Sequence, residues 1–219
     1  MNSSTLGVVG FNATNIWMIH NQVVGLEVDI MQMIDSMFED MANTIFSGGW
    51  HAPDVVDFEK TKFIPTIDAV KKMVLDVCNE MHLDLLNSAR QWAQATGASV
   101  PSQMPCPDWK GKTYVPKAQH ADNDGNVSII SNIYELVEYD KNYWLREMHY
   151  TDRTVGYIKQ YSAFLGKNQQ DELIKKVNRL LEDLYEKISE FTKVIADSVK
   201  QSAEKYFEVA QSVSSSFSN

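Results

Sequence analysis

Along most of this chain apolar residues recur alternately three and four positions apart, the spacing of a helix that packs against another helix. The pattern is broken once in each half, by Ser47-Gly48-Gly49-Trp50-His51-Ala52 and by Phe164-Leu165-Gly166-Lys167. Before the first break run Ile19, Val23, Leu26, Ile30, Met33, Met37 and, after Asp40 and Met41, Thr44. After it come Phe63, Ile67, Val70, Val74, Val77, Met81, Leu85, Ser88 and Trp92. The third run holds Ile130, Ile133, Val137, Trp144, Met148, Thr151, Val155 and Ile158, with one lapse at Asp140. The fourth holds Val177, Leu181, Leu184, Ile188, Phe191, Ile195, Ser198, Ser202 and Val209. Each break reads as the turn of an antiparallel helical hairpin. The expected fold is therefore all-α: two long hairpins forming an elongated four-helix bundle, with helices of roughly 50 to 70 Å at ~1.5 Å per residue.

A chain of 219 residues, 44% of them hydrophobic, can bury a substantial core. Its net charge of −9 argues against nucleic acid as a partner. The excess is concentrated: no Lys or Arg precedes Lys60, whereas Glu27, Asp29, Asp35, Glu39, Asp40, Asp54, Asp57 and Glu59 do. The plain reading is a solvated acidic face over an apolar stripe. No positively charged leader precedes an apolar core at the N-terminus, and no stretch is long enough to span a bilayer, so export would use a route without a cleaved signal. Cys78 falls beside the second stripe as a small core residue. Cys106, between Pro105 and Pro107, falls on a loop.

Gly97 closes the second helix, and Pro101, Pro105, Pro107 and Pro116 forbid regular helix beyond it. The domain organisation expected is a first hairpin over 1–97, a proline-rich linker over 98–127, and a second hairpin with a flexible Ser-rich tail over 128–219. Inside the linker, Lys112-Thr113-Tyr114-Val115 and Asn126-Val127-Ser128-Ile129 flank the turn sequence Asp122-Asn123-Asp124-Gly125, which predicts a short two-stranded ribbon. Asp122, Asp124 and Asn126 have calcium-loop spacing. Val127 stands where the loop needs Gly, however, and Ile133 where it needs a bidentate Glu, which argues against calcium.

Enzyme chemistry is not legible. His20, His51, His82, His120 and His149 form no i, i+4 pair, and no Glu-x-x-His pair, phosphate loop, nucleophile elbow or Cys-x-x-Cys is present. The expectation is no catalytic residue, no metal and no cofactor. Asp140, on an apolar position, reads as a paired core polar group or a local break in packing rather than a catalytic acid.

At the first turn Trp50 follows two glycines, Pro53-Asp54 offers a helix start, and Phe58 comes two helical turns later, placed to stack on Trp50. This arrangement resembles the WXG-type hairpins, the Esx-like proteins of type VII secretion systems in Gram-positive bacteria, in which a Trp-x-Gly turn joins two long helices. The match is Gly48-Gly49-Trp50-His51-Ala52 with Phe58 in the first hairpin, Ala52 replacing Gly. In the second it is Phe164-Leu165-Gly166, Phe164 replacing Trp.

The resemblance implies a secreted, non-enzymatic protein acting through helix–helix interactions, as a type VII substrate or export partner. Its partners would be the secretion-system ATPase and a co-secreted toxin or Esx-like protein, with homodimerisation open. The family's Tyr-x-x-x-Asp/Glu export signal is absent after either hairpin, but Tyr134 with Glu138, and Tyr143 with Glu147, have its spacing. Two other functional classes fit the helical pattern. A pore-forming or membrane-acting toxin would use the Met-rich first helix, although its acidity and lack of an insertable segment argue against membrane contact. An intracellular coiled-coil adaptor would need only the stripes.

Overall fold

The computed structural model describes residues 13–97, 110–119, 126–151, 153–162 and 167–217. Among these residues the chain is mostly helical, with one small sheet: α1 (Ala13–Phe46), β1 (Trp50–His51), α2 (Val55–Phe58), a π-helical turn (Glu59–Phe63), α3 (Ile64–Thr96), β2 (Ser128–Ile129), α4 (Ile133–Thr151), α5 (Thr154–Tyr161) and α6 (Lys167–Ser216). The boundaries follow the turn chemistry. Gly97 takes φ +68 after α3 and donates its N–H to the Ala93 carbonyl, a left-handed cap that suits a residue without Cβ. Asp54, after Pro53, is the N-cap residue of α2. The π-turn sits immediately before Pro65, whose ring would clash with a carbonyl one α-turn back; the wider turn, with Ile64 N–H bonded to the Glu59 carbonyl, opens the helix there.

The chain divides into two compact units. Unit 1 comprises 1–31, 72–110 and 150–185, and unit 2 comprises 32–71, 111–149 and 186–219. In unit 1 the core is built from Ile16, Ile19, Val23, Leu26 and Ile30 of α1, Val74, Cys78 and Met81 of α3, Ile158 of α5, and Val177, Leu181 and Leu184 of α6. In unit 2 it is built from Met37, Phe38, Met41 and Ile45 of α1, Phe58, Phe63 and Ile67 beyond the turn, Ile133, Val137 and Met148 of α4, and Ile188, Ile195 and Val199 of α6.

Several expectations are corrected. The ribbon forms, but its partner differs: β2 pairs antiparallel with β1, Trp50 opposite Ile129 and His51 opposite Ser128, while Lys112–Val115 carries no strand. The first turn offers an open strand edge, and β2 satisfies it. The third stripe is two helices. α4 runs straight through Asp140, and the interruption falls at Arg153, whose φ −105, ψ 4 lies outside the helical region. Ile130 precedes α4 and is exposed. In α6 the buried set continues through Thr192, Val199 and Ala203, leaving Phe191 and Val209 exposed. At 3.6 residues per turn a helix advances by four more often than a strict heptad does, so the buried face drifts off the predicted one. Thr192 tolerates burial because its hydroxyl donates to the Ile188 carbonyl at 2.7 Å. The Ser-rich tail is helical as far as Ser216.

The acidic face is also not uniformly solvated, since Glu27 and Glu59 are buried outright and the Asp35 carboxyl nearly so. The second break, Phe164 to Gly166, lies outside the described residues, as do Cys106, His120 and the Asp122 to Gly125 turn.

Candidate interaction site at the first turn

Gly48 and Gly49 do different things. Gly48 takes φ +112, which reverses the chain. Gly49 has ordinary φ but no room, because a Cβ there would lie 2.0 Å from the Thr44 carbonyl oxygen and 3.0 Å from Ile133 Cδ1. The close approach lets the Ile130 N–H reach the Gly49 carbonyl at 2.9 Å, so the sheet starts at once and turns Trp50 inward. Trp50 is 3% exposed and its ring lies 5.1 Å from that of Phe58. Phe46 and Phe63 complete the cluster, with Phe46 to Phe63 edge-on at 5.2 Å, and Ala52 is fully buried beside the turn. The aromatics needed to stack were readable in sequence. One feature was not: the Trp50 Nε1–H is buried without a hydrogen-bond partner. A cavity of about 440 Å³ lined by Phe46, Ser47, Gly48, Trp50, His51, Lys117 and Gln119 lies at the turn.

A second construction went unread in the sequence. Within unit 2 the extended segment 111–119 is strapped down by buried carboxylates. Glu59 Oε1 accepts from Tyr114 Oη at 2.7 Å and from the Lys117 N–H at 2.7 Å, and the Ala118 N–H contacts both Glu59 oxygens at 3.2 Å. Asp35 accepts the Lys112 N–H at 2.7 Å and pairs with Lys71, whose Nζ also donates to the Lys112 carbonyl at 2.6 Å. The Lys117 ammonium reaches Glu39 and Asn43. Burial and the adjoining Glu59 charge push the Tyr114 phenol well above its ordinary range. Only the Pro65 break, which re-aims Glu59 through the π-turn, carried a sequence signal for this clamp.

Asp140 is a paired, half-buried polar group. It accepts from Thr44 Oγ1 at 2.6 Å, while neighbouring Asp40 accepts from Trp144 Nε1 at 2.7 Å. Burial raises the Asp140 pKa, opposed by the Thr44 bond and reinforced by Asp40. Tyr206 donates to Asp54 at 2.8 Å, and burial with that carboxylate pushes its phenol up to about 12.

The two candidate signal pairs sit on α4. Tyr134 is half-buried with the Lys200 ammonium 5.2 Å from its ring, and Glu138 is held by Lys141 at 2.7 Å. Tyr143 is exposed, with the Arg146 guanidinium 5.7 Å from its ring, and Glu147 is half-buried.

In unit 1 the histidines that lack helical spacing meet across two helices. His20 of α1 and His82 of α3 are each 2% exposed, with their Nδ1 atoms 2.9 Å apart. Among the described residues no group of three or more His, Cys, Asp or Glu is placed to hold a metal, and no helix is long and apolar enough to cross a membrane. No family model matches this chain, and neither the curated proteins nor the solved structures return a match.

Proposed function

We propose that this chain is an Esx-like protein: a secreted, non-enzymatic type VII substrate or export partner whose work is done by helix surfaces. The observation that carries the reading is the tilted contact of the Trp50 ring with that of Phe58, centroids 5.1 Å apart, at a two-glycine turn between long helices. Within unit 2, Phe46 meets Phe58, Phe38 meets Phe63 and Asp35 pairs with Lys71, so partners ascend on one helix as they descend on the other. That order supports an antiparallel hairpin. Thr44 to Asp140 and Asp40 to Trp144 bring α4 onto α1, and Lys62 to Ser198 brings α6 onto the first residues after α2. These contacts support a four-helix bundle closed within one polypeptide, the role a second hairpin chain plays in the family it resembles.

On this reading the secretion ATPase and a co-secreted toxin or Esx-like protein are the partners. Tyr143 with Glu147 is the better placed of the two signal pairs, because Tyr143 is exposed whereas Tyr134 is half-buried beside Lys200. The test is immunodetection of the native protein in cells and medium of its host, with and without the type VII ATPase. Appearance in the medium only with the ATPase is the expected result. Retention in both strains would overturn the proposal and leave an intracellular adaptor in its place.

A further inference from the structure

We propose that the outward face of α4 is a self-association surface, on which a second copy of this chain packs antiparallel. The inference is independent of the secretion reading and rests on what α4 shows on the side away from the core. Within unit 2, α4 has a neighbour on each flank. On one, Asp140 and Trp144 bond to Thr44 and Asp40 of α1; on the other, the Tyr134 ring lies 5.2 Å from the Lys200 ammonium of α6. Ile133, Val137 and Met148 lie between those flanks and are buried. The opposite side of the helix faces away from the unit.

That side is not the polar face an ordinary surface helix presents. Leu136, Tyr139 and Tyr143 are 41%, 67% and 37% exposed, and Arg146 follows with its guanidinium 5.7 Å from the centre of the Tyr143 ring. Positions 136, 139, 143 and 146 stand three, four and three apart, the spacing with which one helix meets another. So α4 carries two such stripes, one turned inward and one outward. Tyr and Arg are also the side chains that interfaces favour over the rest of a surface.

Charge selects the occupant. Glu135 stands at the start of the outward stripe and Arg146 at its end, and among the described residues neither makes an ion pair. Two copies set parallel would place Glu135 against Glu135 and Arg146 against Arg146. Set antiparallel about a two-fold axis level with Lys141, each copy brings its Glu135 beside the other's Arg146. In the same register Tyr139 meets Tyr143, and Leu136 covers the aliphatic stem of Arg146. The face is thus complementary to itself in one orientation. One helix face per copy is a small interface, so the dimer is of the weak, micromolar kind. The net charge of −9 opposes it over long range and is screened by physiological salt. Pairing covers Tyr143, so on the secretion reading export draws on the monomer.

The test is sedimentation equilibrium of the full chain in about 0.15 M salt, from about 1 to 300 µM. Wild type should pass from monomer to dimer in that range. Glu135→Arg and Arg146→Glu should each weaken the dimer by about tenfold, because each sets like charges together at both ends of the interface, and the double exchange should restore it. A wild type that stays monomeric throughout would overturn the proposal. So would a dimer that the single reversals leave unchanged, or one that the double exchange fails to restore. Circular dichroism reports whether each variant folds. If one does not, dilution of the wild type decides: the ring resonances of Tyr139 and Tyr143 must move with concentration, and constant shifts refute the interface.

Discussion

Replacing Gly49 by Ala adds one methyl group to a place with no space for it. The new Cβ would lie 2.0 Å from the Thr44 carbonyl oxygen, a backbone atom in the last turn of α1. Restoring an ordinary contact needs a shift of roughly 1.4 Å. On one side that shift is resisted by Ile133 Cδ1 at 3.0 Å. On the other, Gly49 is tied by its carbonyl to the Ile130 N–H, and the next residue is paired with Ile129. Overpacking costs about 1–3 kcal/mol, and losing the Gly49 carbonyl's backbone hydrogen bond adds about 1 kcal/mol, so Gly49→Ala should destabilise by about 2–4 kcal/mol. Gly48→Ala is the internal control. Its Cβ meets nothing within 4 Å, and its cost is only the strain of φ +112, about 1–3 kcal/mol. Urea unfolding followed by circular dichroism gives both values. A Gly49→Ala cost under about 1 kcal/mol, or below that of Gly48→Ala, would refute the packing account of the turn.

Trp50→Ala should cost about 3–5 kcal/mol by calorimetry, whereas Trp50→Phe keeps a ring on Phe58, removes the unpaired N–H and should cost clearly less. Equal losses would mean that ring stacking is not what Trp50 contributes. Glu59→Ala strips the acceptor from Tyr114 Oη and two backbone N–H groups. It should lower stability by about 3 kcal/mol and return the raised Tyr114 pKa towards ordinary values in an ultraviolet titration; an unchanged titration would show that Glu59 does not govern the phenol. Asp140→Asn tests the sign of a raised carboxyl pKa. The folded state holds that proton more tightly, so the charged form destabilises above the folded pKa, and the asparagine variant should gain relative stability as pH rises from 4 to 7. A constant difference across that range would show that the carboxyl does not titrate as described.

The sequence conveyed helices better than it conveyed partners. Ile19, Val23, Leu26 and Ile30 announce a buried face because spacing and apolarity coincide, and all four are buried. The Gly97 and Pro53-Asp54 signals marked helix ends for the same local reason. Tertiary pairing has no such local mark. His20 and His82 are 62 positions apart, and their meeting depends on how two helices register. Glu59 looks like any acidic surface residue until Pro65 imposes the π-turn and the strap arrives above it. The ribbon shows the same limit: Asn126 to Ile129 had strand character, but the choice of β1 over the closer Lys112–Val115 was made by an open edge at Gly49 and Trp50.

That pairing has a temporal side. β1 leaves the ribosome about eighty residues before β2, an interval of roughly 4 to 16 s at ordinary synthesis rates. Throughout that interval the Gly49 carbonyl lacks its eventual partner, and Ile133, which later packs beneath the turn, does not yet exist. A nascent chain bearing the first helices therefore carries an unpaired strand edge at the turn that β2 later closes, and any factor that escorts it during synthesis has that edge to hold until residue 129 emerges to displace it.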